Sequence, residues 1–158
     1  MEIEIFDNEL TKEDIKDVPH RHGCRGIIKK DDKYLMVNLT EWDITTFPGG
    51  GIEDNETQEE CVVREVFEET GVHCKVKYKT VSVTEYFIDS IWTNNYFVCD
   101  YISQGEGNIL TQEEIELGLI VKWMTLEEIL DTFENNMTNH EHGPNVQNRE
   151  FLGLINSI

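Results

Sequence analysis

The chain has 158 residues, enough for one domain with a buried core, and its 39% hydrophobic and 28% charged content is that of a globular rather than a disordered protein. Its 32 acidic residues outnumber 13 basic ones, a net charge of -19 that repels a DNA or RNA backbone and argues against a long nucleic-acid partner. No apolar run is long enough for a membrane span, and Met1 to Asp7 lacks the basic and apolar regions of a secretory signal, so a cytoplasmic protein without a membrane partner is expected.

The predicted elements run as follows. Ile3 and Ile5 alternate with Glu2 and Glu4, which suggests a short edge strand. Residues 22–30 read as a strand that turns through Asp31 and Asp32, with 34–39 as its hairpin partner. Phe47-Pro48-Gly49-Gly50-Gly51 reads as a loop. Residues 57–70 have helical spacing, with Val62, Val63, Val66, Phe67 and Thr70 on one face and Gly71 as the stop. Residues 75–87 and 95–102 are rich in branched and aromatic side chains and read as antiparallel strands, and 119–124 as another. Thr125 and Glu128 form a capping-box pattern that opens a helix, and 146–157 fit a last helix with Phe151, Leu152 and Ile155 inward. Strands interleaved with helices predict an α+β fold, an α/β/α sandwich with a mixed sheet between helices, as a single domain over 1–158.

The four cysteines, Cys24, Cys61, Cys74 and Cys99, form no Cys-x-x-Cys pair, so free thiols are expected rather than a zinc or redox site, with Cys61 packed inside the helix. The pairs His20/His22 and His140/His142 have no third ligand at metal-site spacing and read as surface histidines.

Residues 50–72 carry the chemistry. Glu65, Glu68 and Glu69 are spaced i, i+3 and i+4, so they share a helix face on which like charges repel, with only Arg64 near. A cluster of oxygen ligands suits a hard divalent cation, Mg²⁺ above all. Gly49, Gly50 and Gly51 permit backbone conformations closed to other residues and a close approach of ligand to main chain. They lead into a helix start, where free N–H groups favour phosphate.

The spacing resembles the Nudix box of the MutT-like hydrolases. Gly50, Glu56, Arg64, Glu65, Val66, Glu68, Glu69, Gly71 and Val72 fill its nine defined positions. Phe47-Pro48-Gly49 and the strand through Trp123 also look like the family, whereas 1–20 and 135–158 give no specific match.

This resemblance implies a pyrophosphohydrolase that cuts the diphosphate bridge of a nucleoside diphosphate joined to another group. It implies that Glu65, Glu68 and Glu69, with the carbonyl of Gly49, hold Mg²⁺, with Mn²⁺ able to substitute. The base that takes the proton from water stays open. Arg64 is expected to orient a neighbouring carboxylate, with Glu56 as its partner at the helix start. A further acidic ligand is expected among Glu113, Glu114 and Glu116, with Glu116 chosen as nearest to the strand through Trp123. Gly49, Gly50, Gly51 and Arg25 are the candidates for holding phosphate.

The expected partner is a small nucleotide-like substrate, and the expected assembly a monomer or homodimer. The proline that marks ADP-ribose members and the extra motif of the coenzyme A subgroup are missing, and Tyr86 and Tyr96 bracket without hitting the tyrosine of dinucleoside polyphosphate members. Elimination leaves a nucleoside triphosphate, oxidised or not, cut to monophosphate and pyrophosphate. The alternatives are a nucleotide-sugar or dinucleoside polyphosphate pyrophosphatase, and, from another class, a nucleotide-binding module without catalysis.

Overall fold

The structure, a computed structural model, describes all 158 residues. Eight strands run in the order β1 (Glu2–Phe6), β2 (His20–Lys30), β3 (Lys33–Leu39), β4 (Ile44–Thr46), β5 (Gly49–Gly51), β6 (Val72–Tyr86), β7 (Ile91–Gln104) and β8 (Leu119–Thr125). Four helices, α1 (Gln58–Thr70), α2 (Gln112–Glu116), α3 (Leu126–Asn135) and α4 (Gly143–Ile155), lie between and after them. The expected α/β/α sandwich is what forms.

The sheet is mixed. β1 lies parallel along the edge of β6, β6 and β7 are antiparallel, and β7 runs parallel to β2. The turn through Asp31 and Asp32 joins β2 to β3, but only Lys29 and Lys30 pair across it. Both aspartates have positive φ, 51° and 63°, as a tight two-residue turn of this hand needs. β3 then departs to pair with β4 and β8.

Period-two alternation sends neighbouring residues of one strand into two cores. Cys24 and Ile28 of β2, Leu35 of β3, and Phe97 and Cys99 of β7 pack under α1 with Cys61, Val62 and Val66. Ile27, Met36 and Tyr96 face the other way, onto Ile129 and Phe133 of α3 and Leu154 of α4. Irregularities in the β6–β7 register switch β6 between them, with Val72 and Cys74 in the first core and Val81 and Val83 in the second. All four cysteines are free and buried, and all belong to the core beneath α1.

Three expectations need correction. Gly49–Gly51 is not a loop but a short strand, antiparallel to Gly23–Arg25 of β2. Val63 is 37% exposed, because α1 turns Cys61, Val62 and Val66 to the sheet and Val63 falls beyond that arc. On α4, Phe151 and Ile155 are exposed, while Gln147, Arg149, Glu150, Gly153 and Leu154 face inward. Apolar spacing misleads there because the buried polar side chains satisfy one another.

Candidate active site

The helix that carries the acidic cluster starts and stops by local chemistry. Thr57 caps α1 by accepting from the Glu60 N–H at 3.1 Å, and Gly71 ends it in the left-handed region at φ 76°. Three glycines precede it, and none of Gly49, Gly50 and Gly51 has positive φ. Glycine is needed at 49 for space instead, whereas at 50 a Cβ would meet only the movable carboxylate end of Glu65. A Cβ on Gly50 would lie 2.5 Å from the carboxyl carbon of Glu65, and one on Gly49 would meet the backbone of Cys24 and Arg25.

That close approach docks the strand on the acidic face. The Gly49 N–H donates to Glu69 Oε1 at 2.6 Å, and Glu69 is 5% exposed. Burial, outweighing the favourable charge of Arg25 and the Gly49 bond, raises the Glu69 carboxyl well above the usual range, and nearby Glu114 adds to the rise. Burial likewise raises Glu65 against the opposing pull of Arg64, with Glu68 and Glu114 adding like charge.

Arg64 ties the rest together. Its Nε reaches Glu56 at 2.5 Å, its Nη1 reaches Glu65 at 2.8 Å and Glu68 at 3.1 Å, and its Nη2 reaches Glu56 at 2.9 Å and the Gly51 carbonyl at 3.0 Å. This is a half-buried hub, beyond an i,i+4 surface pair. Its hydrogen bonds to Glu56 hold that carboxyl down to about 2, despite desolvation.

The three candidates for an extra acidic ligand all lie on one short helix. Residues 112–116 form a short helix, because Thr111 and Glu114 make a capping box. Glu114 adds like charge to both Glu65 and Glu69, raising their carboxyls further. Glu116 is exposed and accepts from Gln112 at 3.2 Å, and Glu113 is exposed too. Of the three, Glu114 is the half-buried one, and its carboxylate accepts from the Thr111 N–H at 2.8 Å.

The donor set suits a hard divalent cation. Glu53, Glu56, Glu65 and Glu68 surround Arg64, Glu69 lies under the charge of Arg25, and the bonds to Arg64 and Gly49 take one oxygen each of Glu65, Glu68 and Glu69. A second oxygen on each is left for a ligand. As they stand, no three acidic, histidine or cysteine side chains converge on one point in metal-holding geometry. The Gly49 carbonyl takes a long 3.5 Å contact from Arg25.

A cleft of about 530 Å³ opens beside this strand, and Arg25, Gly50 and Gly51 line it with Arg21, His20 and His22. Three of the chain's four arginines, Arg21, Arg25 and Arg149, thus line the cleft. Arg25 reaches Asn94 at 3.1 Å and the Phe47 carbonyl at 3.2 Å, which fixes the strand entering the site. His20 and His22, expected to be plain surface histidines, are exposed but stack at 4.2 Å on the cleft wall. His140 packs on Trp42 at 4.5 Å.

Behind the cleft lies a group that sequence reasoning missed. Arg149 donates to Tyr96 Oη at 3.1 Å, to Glu85 at 3.3 Å and to Glu150 at 3.1 Å, while Tyr96 donates to Glu150 at 2.6 Å. Arg25 approaches Glu150 at 3.9 Å. Two arginines balance two carboxylates, which is what makes such burial tolerable. The adjacent Arg149 and Glu150, the only charged residues of the final helix, were the available signal.

Comparison with known proteins agrees with this architecture. A family model described as "NUDIX domain" matches residues 20–144. An ADP-ribose pyrophosphatase of Methanocaldococcus jannaschii is 49% identical over 55 residues, 33% of this chain and 32% of that protein, so the match spans about a third of that relative. A NUDIX hydrolase structure from Nitrosomonas europaea superposes with TM-score 0.65 at 20% identity, covering 85% of this chain and 88% of that one. A MutT protein from Methanosarcina mazei Go1 gives TM-score 0.61 at 18% identity over 86% of this chain and 96% of that one.

Proposed function

The chain belongs to the NUDIX family, and from that membership we propose that it is a pyrophosphohydrolase that cuts a nucleoside triphosphate to monophosphate and pyrophosphate. One observation carries the reading: an acidic cluster suited to a divalent cation stands at the rim of a cleft where Arg21, Arg25, His20 and His22 gather. In a protein of net charge -19, that is a place where phosphates can lie.

Glu65, Glu68 and Glu69, with Glu114 beside them, would hold the cation, Mg²⁺ or Mn²⁺. Such an ion neutralises phosphate charge and lowers the pKa of bound water. The chain's own residues do the positioning. The Gly49 N–H fixes the direction of Glu69. Arg64 holds Glu65 and Glu68 against the strand that carries Gly51. Arg25 keeps that strand in register and presents a guanidinium edge to the cleft. A carboxylate of the cluster takes the proton from the attacking water.

The test is pyrophosphate release from a nucleoside triphosphate panel. Release is expected to need Mg²⁺ or Mn²⁺ and to stop in excess EDTA. Glu69→Gln is expected to lower turnover by about 10²-fold or more. Its metal-free melting point should match or exceed the parent's, since a buried charge has gone. Undiminished turnover in EDTA, or an active Glu69→Gln protein, would overturn the assignment. A second reading, hydrolysis of ADP-ribose, is favoured by the local 49% identity to an ADP-ribose pyrophosphatase, and AMP release from ADP-ribose in the same assay decides between them.

A further inference from the structure

A second cavity of about 550 Å³ adjoins the cationic cleft, and Trp92 and Arg149 line both. The polarity reverses from one to the other. The cleft side has Arg21, Arg25 and two histidines. The far cavity is walled by Phe87, Ile88 and Trp92, with Asp7, Asp89 and Asn145 among them.

The charges in this far cavity are not equivalent. Glu85 also lines it but is engaged by Arg149 at 3.3 Å. Asp7 and Asp89 form no ion pair; Asp7 accepts from Asn8 at 3.3 Å and Asp89 from Ser90 at 3.1 Å, each through one oxygen. Each therefore offers acceptor capacity to a ligand. Phosphate is repelled from such a wall, whereas a planar ring bearing N–H donors can lie against the aromatic side chains and donate to the carboxylates. The parts come from separate segments: Asp7 from a turn after β1, residues 87–90 from the β6–β7 turn, and Asn145 from α4. Asp7, Asn145 and Arg149 lie outside the stretch that matches the family model, while Phe87, Ile88, Asp89 and Trp92 lie within it.

We propose that the second cavity seats the base of the nucleotide and selects a base with an exocyclic amino group over one without it. This rests on the nucleotide reading above, and it applies equally to a triphosphate and to a nucleotide-sugar. The phosphates then lie in the cationic cleft toward Glu65, Glu68 and Glu69, and the base lies beyond Trp92.

Two measurements test it. The first compares kcat/KM within one ring size: ATP and GTP against ITP, and CTP against UTP. The amino-bearing members should be favoured by about 10-fold or more, the scale of one hydrogen bond to a charged acceptor. Joint replacement Asp7→Asn with Asp89→Asn should narrow that ratio to under about 3-fold. The second reads tryptophan fluorescence without metal, titrating AMP, GMP and IMP, then CMP and UMP. Tighter quenching by the amino-bearing members, lost in Trp92→Phe, supports the proposal whether or not the protein hydrolyses anything. Hydrolysis with no amino preference in either ring size overturns the base pocket and leaves the hydrolase reading standing. Amino-dependent binding with no hydrolysis of any substrate overturns the hydrolase reading and leaves the pocket standing. Quenching equal for all bases, or unchanged in Trp92→Phe, overturns the pocket.

Discussion

Glu56 has no place among the proposed ligands, yet its carboxylate is the best-held in the site. Two bonds from Arg64 and one from the Glu53 N–H at 3.1 Å keep it ionised down to about 2, from an ordinary 4.5. A carboxyl whose folded value is depressed stabilises the fold above its unfolded value, and that contribution is lost as pH falls through the folded one. Glu56→Gln should therefore be less stable than the parent at pH 7, with the gap closing as pH falls from 4.5 toward 2. Urea titrations of both proteins across that range check it; a gap independent of pH would mean that the Arg64–Glu56 pair contributes nothing. Such pairing was legible, because Arg64 and Glu56 stand at fixed box positions. The burial of Glu114 between exposed Glu113 and Glu116 was not, since it depends on how one capped turn faces the rest of the fold. The role of the glycines was half legible: the need for glycine was plain, but its cause is the backbone of Cys24 and Arg25 where a Cβ of Gly49 would stand, not a positive φ.

Among the elements, the strands and α1 follow from local pattern, and α4 does not. Periodicity weighs side chains singly, so it assigns Phe151 and Ile155 to the core and Glu150 to water. The structure buries Glu150 completely because Arg149, Tyr96 and Arg25 surround it. Gly153 serves the same docking, since a Cβ there would strike the ring of Tyr96. Removing one member of a buried pair leaves the rest uncompensated, at a cost of about 3–5 kcal/mol. Glu150→Gln is accordingly expected to lower unfolding stability by about that much, and Glu13→Gln, which breaks the exposed pair with Lys16, by under about 1 kcal/mol. Denaturant melts give both values. Equal small effects would show that α4 is held by its apolar contacts alone.

At the scale of the whole molecule, the surplus negative charge turns anions away from most of the surface, and the cleft offers them Arg21 and Arg25. No helix is long and apolar enough to cross a membrane. The two cores also differ in a way that has a use. Every sulfhydryl in the chain lies on the side of the sheet that α1 covers. A small alkylating reagent reaches them only when that layer lifts, so its labelling rate is a stopwatch on the opening of the layer that bears the acidic cluster, and it does not sense α3 and α4. A cation that binds the closed layer alone should slow the stopwatch by the factor 1 + [L]/Kd, about tenfold at ten times Kd. Mass spectrometry of the alkylated protein with and without Mg²⁺ reads this directly, with no substrate in the tube. Labelling indifferent to Mg²⁺ would mean that the ion does not hold this layer shut.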